Sequence, residues 1–135
     1  MSWTWKGIQS SQCSTGRIRQ KVGSQDAYVA VSASAATVQG VGHSTCSDYV
    51  TISRSDTPRL VSNFENWVLG YLSGANMMLT GLNPRNDVLK LVTPAQVNDR
   101  LRAVCNAPEN KDAKIYEVAA QMLADLQAQL KKLPQ

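Results

Sequence analysis

Apolar residues recur every three to four positions along residues 58–80, the longest patterned stretch of the chain. They fall at Leu60, Val61, Phe64, Trp67, Val68, Tyr71, Leu72, Ala75, Met78 and Leu79, which predicts one helix with a single buried face. Asp56 or Thr57 can cap its start, and Pro58 suits its first turn, where a missing N–H costs nothing. Gly70, Ser73 and Gly74 place small residues inside it. A mid-helix glycine costs about 1 kcal/mol relative to alanine, so the pattern predicts a close approach by a second helix at Gly70 and Gly74. Trp67 and Tyr71 lie one turn apart beside those glycines. They read either as the packing contact itself or as an anchor for a partner protein.

The same periodicity and punctuation place four further helical segments. Thr45 caps a short helix to about residue 53, presenting Cys46, Tyr49, Val50 and Ile52. Gly81 and Asn83-Pro84 end the central helix and start a short one carrying Val88, Leu89, Leu91 and Val92. Thr93-Pro94-Ala95-Gln96 supplies an N-cap, a first-turn proline and a capping box, ahead of Val97, Leu101, Val104 and Cys105. Asp112 is expected to begin the last helix, with Ile115, Val118, Ala119, Met122, Leu123, Leu126 and Leu130 on one face. Lys131 and Lys132 suit its C-terminal end. The expected class is all-α: a bundle of four to five helices over residues 45–135, preceded by an irregular segment, 1–44.

That lead segment is polar and rich in glycine and serine through residue 26, which predicts disorder there, then weakly apolar over 27–42. Two readings stay open for residues 27–42. Arg17, Arg19 and Lys21 ahead of it, with Ala33-Ser34-Ala35 as a small-residue cleavage pattern, make it signal-like. Its composition also suits a β-strand or a flexible linker.

Charge narrows the partners. Residues 45–135 hold ten basic and nine acidic side chains, so the predicted bundle is nearly neutral. That balance argues against a nucleic-acid partner and against membrane attachment, and no apolar run reaches the roughly 20 residues of a membrane-spanning helix. The chain has three cysteines, Cys13, Cys46 and Cys105. In an exported protein Cys46 would pair with Cys105; in a reducing compartment all three would stay thiols.

Catalytic chemistry lacks an inventory. The chain has one histidine, His43, and neither a nucleophile elbow nor a phosphate loop nor a two-histidine zinc motif. Cys13, His43 and Cys46 lack a fourth metal ligand, and the carboxylates are scattered among bases. No catalytic residue, metal site or cofactor is expected.

The segment from Cys46 to Leu130 resembles the periplasmic acid-stress chaperones of the HdeA/HdeB type. The resemblance rests on Cys46-Ser47-Asp48-Tyr49, on Gly70-Tyr71 with Gly74 to Asn76 following, and on Thr93-Pro94 before a helix ending in Cys105. It implies a Cys46–Cys105 disulfide, export to the periplasm, and a homodimer that loosens in acid to bind unfolding clients. Phe64, Trp67, Tyr71 and Leu72 would be the dimer contact and client surface. A second resemblance, through the Gly-Tyr-x-x-Gly helix and the late cysteine, is to immunity proteins of the Rap/Tai type, which bind one amidase effector of type VI secretion. Both imply protein binding without catalysis.

Overall fold

The computed structural model describes residues 17–22, 27–32 and 37–134. Cys13 and the Ala33-Ser34-Ala35 pattern lie outside the described residues. Four α-helices follow one another in the C-terminal domain: α1 (Cys46–Arg54), α2 (Pro58–Leu82), α3 (Pro94–Asn106) and α4 (Ile115–Lys132). Together they form the expected all-α bundle. Ahead of it, β1 (Arg17–Val22) pairs antiparallel with β2 (Ala27–Ser32), with Ile18 opposite Val31 and Gln20 opposite Val29. Residues 27–32 are extended, as Tyr28, Val29 and Val31 favour. The partner strand at Arg17–Val22 corrects the expected disorder there: the stretch lacks apolar periodicity, and backbone pairing with β2 supplies the order.

Helix starts follow local chemistry. Thr45 and Asp48 form a reciprocal capping box, with Asp48 N–H donating to Thr45 Oγ1 and Thr45 N–H to Asp48 Oδ2. Thr93 and Gln96 do the same for α3. Thr57 is the residue before α2 but makes no side-chain cap. Two expectations need correction. Residues 84–92 form two 3₁₀ turns, Pro84–Asn86 and Val88–Leu91, instead of one short helix. The last helix begins at Ile115, not Asp112, because Ala113 and Lys114 are drawn into extended backbone contact with the start of α1. Cys46 N–H donates to the Ala113 carbonyl at 2.8 Å and Ile115 N–H to that of Ser44 at 2.9 Å.

The core takes Cys46 and Tyr49 from α1, Phe64, Val68 and Leu72 from α2, Val97, Leu101, Val104 and Cys105 from α3, and Ile115, Val118, Ala119 and Met122 from α4. Each large apolar side chain so buried contributes about 1.5–3 kcal/mol. Tyr49 and Phe64 pack ring on ring at 5.5 Å and a 57° tilt. The Cys46–Cys105 disulfide joins α1 to α3 across 59 residues of sequence. A closed loop of that order stabilises by about 4 kcal/mol in the chain-entropy picture.

Candidate protein-binding surface

Helix α2 buries one narrow row, Phe64, Val68 and Leu72, each one turn beyond the last. Phe64 and Leu72 are therefore core residues of the folded chain. A partner reaches them only if the bundle opens. Leu60 and Met78, which the periodicity placed on the buried face, are exposed.

Trp67 and Tyr71 flank the buried row and stack on each other, 5.7 Å apart at 20°. Both are partly buried against the core. Burial raises the Tyr71 phenol above its ordinary range. The Trp67 indole N–H donates to the Gln39 carbonyl at 3.2 Å. Residues 39–43 thus lie over the indole as a strap, turned through a 3₁₀ segment at Gly40–His43.

The glycines divide differently from expectation. A Cβ built at Gly70 or Gly74 would meet nothing within 4 Å, so no described element makes a close approach there. The close approach falls at Gly42, where a Cβ would lie inside the Trp67 indole. Gly42 is buried, and Gly40 has φ +72°, in the left-handed region that favours glycine.

Beyond Leu72, α2 runs on for ten residues without fully burying a side chain. It is tied to the following turns by the Asn86 amide, which donates to the Leu79 carbonyl at 3.4 Å, and by Asn76. The Asn76 amide donates to Asp87 Oδ1 at 2.9 Å and accepts from Val88 N–H at 2.9 Å, tying the 3₁₀ turns to the helix. On its open side stand Met77, Met78 and Leu82, exposed at 74%, 75% and 84%. With the bare backbone of Gly70, Gly74 and Gly81, they form an apolar strip along one helix face. A doublet of methionines followed by leucine just before an Asn-Pro break is the signal that could have located it. Past the helix end, a groove of about 480 Å³ lies between the 3₁₀ turns and the end of α4. Arg85, Lys90 and Lys131 line it over Val88 and Leu130, giving the strip a cationic neighbour.

Several of the polar ties between helices run through carboxylates. Glu65 on α2 accepts from Asn98 at 3.3 Å and pairs with Arg102 at 3.6 Å, both on α3. Arg100 on α3 pairs with Asp125 on α4. Tyr49 sits beside the first of these; burial, then the Glu65 charge, pushes its phenol up. The Asp48 carboxyl is held below its ordinary value, chiefly by the Thr45 backbone N–H.

Among the described residues no helix is long and apolar enough to cross a membrane. No family model matches the chain, and neither the curated proteins nor the solved structures supply a match.

Proposed function

We propose that this domain binds unfolding polypeptides in an oxidising, acid-exposed compartment such as the periplasm, in the manner of an acid-stress chaperone. The observation that carries the reading is the strip of Met77, Met78 and Leu82, three large apolar side chains held in water on a rigid helix. Such exposure marks an interaction surface. Methionine, unbranched and polarisable, adapts to many partner shapes, so the strip favours varied clients over one complementary surface. The disulfide suits an exported protein. Acid enters through the ties named above. These ties are electrostatic, Glu65 with Arg102 between α2 and α3 and Arg100 with Asp125 between α3 and α4. With nine acidic and ten basic side chains over residues 45–135, acid leaves the bundle strongly positive, and the resulting repulsion opens more of the α2 face to clients.

The oxidised protein tests this directly against the aggregation of an unrelated client, at roughly pH 3 and at pH 7. Protection in acid that is lost in a Met77→Ser, Met78→Ser double variant is the expected result. Absence of protection at either pH sinks the reading. The search would then turn to one folded partner, beginning with a secreted amidase.

A further inference from the structure

Two stretches of backbone on either side of Ser44 are held in different ways. From Ser44 onward the chain is clamped by main-chain hydrogen bonds to the loop before α4: Ile115 N–H to Ser44 O at 2.9 Å, Cys46 N–H to Ala113 O at 2.8 Å and Ser47 N–H to Lys111 O at 2.9 Å. Upstream, among the described residues, the strap 39–43 holds the helices by one hydrogen bond, from Trp67 to the Gln39 carbonyl. The rest of its grip is fit. Val41 packs against the core, and the Gly42 backbone lies against the indole where any side chain would collide. The strap is thus seated as a ligand is seated, by one directed hydrogen bond, one apolar side chain and one position that admits only glycine.

We infer that the surface of α2 at Trp67 is a binding site for a turned, glycine-containing peptide segment, filled in this chain by its own residues 39–43. The chemistry it recognises is visible in its present occupant. A backbone carbonyl accepts from the indole N–H, an apolar side chain follows two residues on, and a glycine passes over the ring one residue later. Because the occupant is tethered in cis, its effective concentration excludes competing peptides until it lifts. A segment offered in trans sees only the fraction of molecules whose strap is open. The inference rests on the protein-binding reading for the biological identity of such a segment, and on geometry alone for the site.

The test uses the full chain carrying Trp3→Phe and Trp5→Phe, which leaves Trp67 as the one tryptophan. Gly42→Val is added to displace the strap, and the probe is a synthetic peptide of residues 37–44. Three results are expected at pH 7. Trp67 emission moves to the red in the Gly42→Val chain, and the peptide reverses that shift. The peptide binds the opened chain about tenfold or more tightly than the parent chain. A peptide with valine in place of Gly42 does not bind. Unshifted emission, no peptide binding to the opened chain, or equal binding of both peptides overturns the inference. If Gly42→Val loses its helical circular dichroism, Trp67→Phe replaces it, keeping a ring and removing the donor. Hydrogen exchange at the Ser44 amide, which donates to the Val41 carbonyl, must then quicken by about tenfold. Unchanged exchange overturns the inference as well. A chain that binds the peptide but protects no client leaves the site standing and removes only the chaperone role.

Discussion

From Pro58 to Leu72, α2 buries Phe64, Val68 and Leu72 and carries the strap on Trp67. From Ser73 to Leu82 it fully buries no side chain, leaves Ala75, Asn76, Leu79 and Thr80 half-buried, and presents Met77, Met78 and Leu82 to solvent. One continuous helix is therefore core at one end and display surface at the other. The contrast shows that apolar content does not equal burial. A helix whose isolated stability is marginal persists past its packing partners because the first half is fixed and helix propagation is cheap. Asn76 stands at the changeover, replacing apolar packing with two hydrogen bonds to the following turns.

The largest effect expected from this contrast comes from truncating matched apolar residues on the two halves. Leu72→Ala should cost about 3 kcal/mol in chemical denaturation, whereas Met78→Ala should stay within about 0.5 kcal/mol. Comparable losses at both sites would mean that the second half is packed against something in solution. Next comes the boundary. Asn76→Ala strands the Val88 N–H and should destabilise by about 1–2 kcal/mol, with faster amide exchange over residues 84–91. An unchanged midpoint would show that the clamp is dispensable.

Smaller and opposite in sign, Gly70→Ala and Gly74→Ala should each stabilise by roughly 0.5–1 kcal/mol, since both positions are helical and open. Loss of stability at either would reveal a close neighbour on that face. The smallest effect lies outside α2 and serves as its control. Asp48 has a folded-state pKa below the ordinary 3.8, so its cap contributes stability above that value and loses it as pH falls through the folded value. Asp48→Asn should lower Tm at neutral pH, and the gap from the parent should close in acid. A gap that persists at pH 2 would show that the carboxylate charge contributes nothing to the cap.

Much of this was legible in the sequence. The capping pair Thr93 and Gln96, the inward row Phe64, Val68 and Leu72, and the helical class follow from local chemistry and from period. The pairing of Cys46 with Cys105 was conditional on compartment and on a resemblance, and the fold brings their Cα atoms to 4.7 Å. The candidate surface was harder to find. Periodicity treats Met78 like Phe64, because both occupy apolar positions of one repeating pattern, and it cannot say where the neighbouring helices stop.

The sequence alone determined the four α-helices, the capping boxes at Thr45 and Thr93 and the inward row Phe64, Val68 and Leu72, since those depend on residues three or four apart. Tertiary structure decided which glycine is crowded and which methionines are free. The crowding at Gly42 is set by Trp67, 25 residues away in the chain, and the exposure of Met77 and Met78 by the absence of any described element over that face. Both depend on where distant segments come to rest, which no local pattern of residues encodes.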